Sequence, residues 1–194
     1  MRYLLFFVLS ICLLTCQDAA TVATEKATLD EKEFELTALP GSDTQRAERK
    51  DQLGNVAEAG FVRNGLKQGT WTTYTDGAVP ATIISYIDGM LSGPYIKMDA
   101  QGRYELLANY QANVLHGPWI KYRIGRPEQT ATYVDGKLEG ALATFDYRNN
   151  KIKQEVLYKN GVQHGPMRFF NEEGKVTLEY MYQNGEKVSG GIVE

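Results

Sequence analysis

The residues of this chain that could do chemistry are few, and their spacing keeps them apart. His116 and His164 are the two histidines among 194 residues. Each stands immediately before a glycine, Gly117 or Gly165, in copies of one recurring segment. The copies lie two repeats apart, so in a sheet with strands about 4.8 Å apart the imidazoles are separated by roughly 20 Å. That is too far for a shared metal ion, and each histidine is expected to support a turn or face solvent. Asp88 and Asp135 belong to Asp-Gly pairs and form turns before they act as general acids. Glu139, Glu155, Glu172 and Glu179 make no recognisable acid–base pair. The chain has no Gly-x-Ser-x-Gly elbow, no phosphate-binding glycine loop, no dinucleotide fingerprint and no His-Glu-x-x-His helix. No catalytic residue, metal or cofactor is expected, and the chain reads as a non-enzyme. Lys97, Lys121 and Arg168 take related strand positions and predict a basic ridge that would meet a protein partner. The plainer reading of the three is a solvated face of the sheet.

Lysine plus arginine number 21 against 24 for aspartate plus glutamate, a net charge of −3. No long basic block occurs, so nucleic acid is not expected as a partner. Both cysteines, Cys12 and Cys16, lie near the start, which leaves residues 17–194 without a disulfide or a thiolate metal site. Met1-Arg2 is followed by a twelve-residue apolar run over 3–14. A spanning helix needs about 20 residues, so the run reads instead as an export signal. It ends in Leu13-Leu14-Thr15-Cys16, which resembles the lipobox of bacterial lipoprotein precursors. That resemblance implies cleavage before Cys16 and lipidation of Cys16, with acyl chains as the membrane anchor. Gln17, standing where an Asp would signal inner-membrane retention, favours the outer membrane; the face it presents stays open. The alternative is an ordinary secretory signal with an incidental cysteine.

The elements that must position these residues come from a repeat. The motif YKNGVQHG (158–165) recurs as VRNGLKQG, YIDGMLSG, YQANVLHG, YVDGKLEG and YQNGEKVS. The copies start at 62, 86, 110, 133, 158 and 182. A fixed period in the twenties marks an array of small supersecondary units. Domain limits follow: a signal over 1–15, a flexible tether over 16–33, and a repeat array over 34–194, clear from about 54. Phe34–Leu39 reads as a first strand and Pro40-Gly41 as a turn. Thr44–Gln52 is either part of a degraded first repeat or a short solvated helix.

Asn64-Gly65, Asp88-Gly89, Asp135-Gly136, Asn160-Gly161 and Asn184-Gly185 predict tight hairpins, because a type I′ turn needs two residues at positive φ. In the third copy Ala112-Asn113 takes that place. Second turns follow about a dozen residues later, near Asp51–Gly54, Thr75–Gly77, Asp99–Gly102, Ile124-Gly125, Arg148–Asn150 and Asn171–Gly174. The segments between them are strand-like in length and composition. An antiparallel β-meander of about eleven or twelve strands is expected. The second motif glycine (Gly93, Gly117, Gly140, Gly165) is expected to leave open backbone under the diagonal ring of Tyr86, Tyr110, Tyr133 or Tyr158. Trp71, Tyr95, Trp119, Leu142 and Met167 would continue that apolar row.

The pattern Tyr-x-Asp/Asn-Gly-x-x-x-Gly-Pro-Trp/Tyr/Met resembles the MORN repeat in its bacterial variant. Over about 54–194 the chain is similar to the YwqK-type family, widely labelled antitoxins. The resemblance implies an elongated, twisted antiparallel sheet. Its departures are Asn113 and Ser189 for glycines, and Leu142 and Met167 for aromatics. The functional expectation is a lipid-anchored scaffold of the cell envelope that binds an unidentified protein. The alternative is an antitoxin or immunity protein that neutralises a toxin by direct binding.

Cys16→Ala is expected to release the protein from membranes or to leave an uncleaved precursor. Wild-type protein that fractionates as soluble and carries no acyl mass would end the lipoprotein reading.

Overall fold

Every Asx-Gly pair of the repeat closes a hairpin with both residues in the left-handed region. In the computed structural model, which describes residues 25–75 and 79–193, Asp88 and Gly89 have φ of 48° and 77°, and Asn160 and Gly161 have 53° and 81°. Ala112-Asn113 closes the same turn at 48° and 69°. The expected turn at Thr75–Gly77 falls largely outside the described residues, as do the export signal and Cys16.

The sheet opens with β1 (Glu35–Ala38) and β2 (Thr44–Lys50), and the first motif joins β3 (Val56–Arg63) to β4 (Leu66–Thr75). The second joins β5 (Val79–Ile87) to β6 (Met90–Met98). In the third, β7 (Tyr104–Gln111) leads to β8 (Val114–Leu115) and β9 (Gly117–Arg123). The fourth links β10 (Arg126–Val134) to β11 (Lys137–Leu138) and β12 (Gly140–Phe145). The last two join β13 (Ile152–Lys159) to β14 (Val162–Phe170) and β15 (Val176–Gln183) to β16 (Glu186–Ile192). All sixteen lie in one sheet in chain order, with β8 and β11 as short lead-ins beside a path of fourteen. At about 4.8 Å per strand the path spans about 60 Å, roughly twice the length of its strands. The fold is an elongated, single-layer antiparallel meander.

Two expectations change at the N-terminal end. The sheet has more strands than the expected eleven or twelve because the degraded first repeat folds. Thr44–Lys50 is a strand and no helix, with Ala47 fully buried between its cross-strand partners Leu36 and Gly60. The tether expected over 16–33 is fixed to the sheet from Ala27 onward. Ala27 N–H donates to Gly89 O (2.7 Å), Ala27 O accepts from Lys67 N–H (3.1 Å), and Leu29 N–H donates to Gly65 O (2.9 Å). Leu29 and Phe34 then pack on the Ala47, Val62 and Trp71 cluster, with the Phe34 ring edge-on to Trp71 at 5.7 Å. Apolar Leu29 and Phe34, set among polar neighbours, explain why this part docks.

Each hairpin is also stapled to the one before it. The second turn residue donates its N–H to a carbonyl of the preceding motif: Gly89 to Lys67, Asn113 to Leu91, Gly136 to Leu115, Gly161 to Leu138 and Gly185 to Gln163, all at 2.8–2.9 Å. The first turn residue donates to a side chain there. Asp88 reaches Gln68 (2.8 Å), Ala112 Ser92 (3.3 Å), Asp135 His116 Nδ1 (3.5 Å) and Asn160 Glu139 (2.7 Å). Asn113, buried in place of a glycine, adds a bond of its own by accepting Leu91 N–H at 2.6 Å.

Tyr110 faces Leu115 as expected, but the motif glycines are explained differently. Gly93, Gly117 and Gly165 hold φ of 101–106° inside bulges, where Ser92–Pro94, for example, opposes the single Ser85. Opposite each stands the tyrosine of the next repeat: Tyr110, Tyr133 and Tyr182. A Cβ at these glycines would meet Ser85, Asn109 or Leu157, not a tyrosine ring. The left-handed bulge is what requires glycine. An aromatic ring does cover a glycine at Gly60, where a Cβ would fall 2.2 Å from the Trp71 ring. The apolar row continues as Trp71, Ile84, Tyr95, Ala108, Trp119 and Ala131, bulky rings against smaller neighbours.

Gly60→Ala must push the Trp71 ring aside, and overpacking of this kind costs about 1–3 kcal/mol. Gly191→Ala, with open space around its Cβ and no positive φ, is expected within about 0.5 kcal/mol of wild type. Urea unfolding of the two variants checks the contrast; equal stabilities would refute the stacking account.

Candidate functional site

The three cations expected to form a ridge do not occupy equivalent places. Lys97 and Lys121 do, since both pair across Leu106 on the face of Tyr95 and Trp119. Followed through Gln129, Thr144 and Gln154, the same row reaches Phe169 on β14, not Arg168. Arg168 stands one residue from the apolar row instead of two, and strand alternation turns it to the opposite face. All three cations have carboxylate partners. Lys97 meets Glu105 at 3.0 Å and Lys121 meets Glu128 at 3.4 Å, each acid coming from a strand bulge. Arg168 is bracketed by Glu179 at 2.7 Å and Glu155 at 3.3 Å.

That opposite face carries an apolar row absent from the sequence reading. Ile83, Ile96, Leu107 and Ile120 are successive cross-strand partners and are only half-buried. Ile96 and Ile120 directly follow Tyr95 and Trp119, so adjacent apolar residues were the available signal. Toward the C-terminus the row continues through Thr130, Ala143 and Glu155 to Arg168.

His116 serves the turn at Asp135, whose carboxylate also lies 3.3 Å from Nδ1. It lines a cleft of 580 Å³ with Ser92, Asn109, Tyr110, Gln111 and Pro118. Among the described residues no three His, Cys, Asp or Glu side chains cluster as metal ligands. The second turns are built on acceptor side chains. Asp51 and Asp99 accept backbone N–H groups two and four residues on, and these bonds hold both carboxyls below the ordinary range.

No family model matches the chain, and no curated protein matches it. Among solved structures, an S. aureus TarM mutant in complex with fondaparinux, alpha-GlcNAc-glycerol and UDP aligns over 61% of this chain at 15% identity. The alignment takes in 21% of the TarM chain, with a TM-score of 0.32, and carries no argument about function.

At the N-terminal end, Glu58 receives Lys67 at 2.6 Å and Arg49 at 3.0 Å, and Lys67 also lies 4.1 Å from the Trp71 ring centre. Burial pushes the Glu58 carboxyl up, but the two cations outweigh it and hold the group below the ordinary glutamate range. A carboxyl depressed by folding stabilises the fold above its unfolded pKa, and this is lost as pH falls through the folded value. Stability of the wild type is therefore expected to fall more steeply below the ordinary glutamate range than that of Glu58→Gln. Parallel pH profiles by thermal melting would show that Glu58 is not so coupled.

Proposed function

We propose that the chain is a non-enzymatic, lipid-anchored repeat scaffold that mediates protein–protein contact in the cell envelope, anchored at the outer membrane through Cys16. One observation carries this reading: the half-buried row of Ile83, Ile96, Leu107 and Ile120, repeated across four neighbouring strands of a single-layer sheet. An apolar strip that the fold leaves partly open is a surface suited to a protein partner. The stapled hairpins support the reading, since they hold that strip rigid without a second layer and lower the entropic cost of binding.

The test is affinity capture by the full chain from detergent-solubilised envelope. One protein should be retained by wild type, and Ile96→Lys with Ile120→Lys should weaken its binding by about tenfold or more. Far-ultraviolet circular dichroism of that variant should remain sheet-like. Lys97→Glu with Lys121→Glu, on the other face, should leave both binding and melting temperature nearly unchanged. Wild-type chain that retains no more protein than an unrelated lipoprotein would end the scaffold reading. Capture of a toxin that is inhibited on binding would move it to the antitoxin alternative.

A further inference from the structure

Among the described residues, one second turn breaks the pattern of the others. Where second turns elsewhere open on Asp51, Asp99, Asp146 or Asn171, the turn between β9 and β10 reads Arg123-Ile124-Gly125-Arg126. Ile124 holds φ of 52°, a left-handed value that a β-branched residue adopts at a cost, and it is 65% exposed. The loop after β12 brings Tyr147 and Arg148 alongside. Arg126 Nη1 donates to Arg148 O at 2.9 Å and Tyr147 O at 3.3 Å, which fixes that loop. The guanidinium of Arg123 lies 4.8 Å from the Tyr147 ring centre, and that of Arg148 lies 6.0 Å away. Together these residues line a shallow cleft of 440 Å³.

The acids paired with Arg123 and Arg148 sit behind them, while Glu172, which also acts on Arg148, is exposed. Glu128 and Asp146 are 27% and 15% exposed, while their partners Arg123 and Arg148 are 56% and 69% exposed. The cleft therefore presents positive charge in a chain whose net charge is −3. Arg126 serves the fold through the Tyr147 and Arg148 carbonyls and Arg148 through Asp146, but the left-handed, exposed Ile124 does not. Asparagine or glycine would close the turn with less strain, and neighbouring guanidinium groups repel one another. Strain and exposed apolar surface that the fold does not need point toward a contact.

We infer that Arg123, Ile124, Arg126, Tyr147 and Arg148 form a docking site for an acidic protein segment in which carboxylates flank an apolar side chain. The carboxylates take the planar forks of Arg123 and Arg148, and the apolar side chain lies against Ile124 and Tyr147. The inference rests on the scaffold reading and names a second surface for it, apart from the isoleucine strip. A membrane is the less fitting occupant, because the N-terminal segment docks at Gly65 and Gly89 on the margin opposite this turn.

The test uses the full chain in detergent and a fluorescein-labelled peptide of alternating glutamate and leucine. Glutamine–leucine and lysine–leucine peptides serve as controls. Fluorescence anisotropy should report binding of the glutamate peptide alone, weakening as salt is raised. Arg123→Glu with Arg148→Glu should weaken it by about tenfold or more. Ile124→Asn should weaken it while leaving the melting temperature unchanged or higher, because Asn suits the left-handed region. A purely structural role for Ile124 would not separate the two readouts.

Equal binding of the glutamine peptide, or wild-type binding in both variants, would overturn the inference. Binding of phosphatidylglycerol vesicles but not of the peptide would also overturn it. An envelope partner that wild type captures and both variants retain would remove this site and leave the scaffold reading standing.

Discussion

The structure depends on a two-residue turn in the left-handed region. Two strands joined by such a turn are marginal alone, so a hairpin must be held by something outside itself. Here the turn supplies the link, because its second N–H points back to the carbonyl of the preceding motif. Gly136 reaches Leu115 and Gly161 reaches Leu138, and even the substituted Asn113 reaches Leu91. The same geometry that closes one hairpin attaches it to its neighbour. The side chains before the motif glycines, Gln68, Ser92, His116 and Glu139, complete the link by accepting the other turn N–H. His116 thus holds an acceptor's place in the repeat, which glutamine, serine and glutamate fill in other copies.

A single layer has no second sheet to bury its side chains, so burial runs along the sheet. Trp71 lies over Gly60, and Trp119 fits between Ala108 and Ala131. Each bulky ring is covered by small neighbours on adjacent strands, the arrangement expected where repeats bury surface only against one another. Both indoles are almost fully buried by this means. The two ends of the array differ accordingly. Residues Leu29 and Phe34 cover the first units, whereas β16 is exposed along its whole length.

Charge follows the same nearest-neighbour logic. Lys97 and Glu105, Lys121 and Glu128, and Arg168 with Glu155 and Glu179 meet across adjacent strands. Such pairing leaves the regular parts of both faces close to neutral and makes a charge count a poor guide to where partners bind. Departures from the repeat carry more information. At Ala112-Asn113 the departure is absorbed by an added hydrogen bond, so the position is structural. At Arg123–Arg126 the fold uses Arg126 to hold the neighbouring loop, but the strain and exposed apolar tip at Ile124 remain.

Much of the fold was legible in the sequence because its determinants are local. Asn-Gly and Asp-Gly pairs dictate type I′ hairpins, short polar connections dictate antiparallel neighbours, and a fixed period dictates a chain-ordered sheet. The pairing of Tyr110 with Leu115 followed from turn length alone. What depended on register between repeats was not legible. The bulges beside the second turns, at Ala81, Glu105 and Glu128, set the register in which a motif glycine faces the next repeat's tyrosine, and no local signal counts the residues a bulge absorbs. That Arg168 turns away from Lys97 and Lys121 depends on its being one residue, not two, beyond the apolar row. The sequence by itself determined the turns, the strands and their order. Only the tertiary structure decided the stapling of turns, the docking of Ala27–Phe34, and which side chains share a face. Those properties arise between strands and repeats, where the turn staples join residues more than twenty apart and the cross-strand pairs of one face about a dozen.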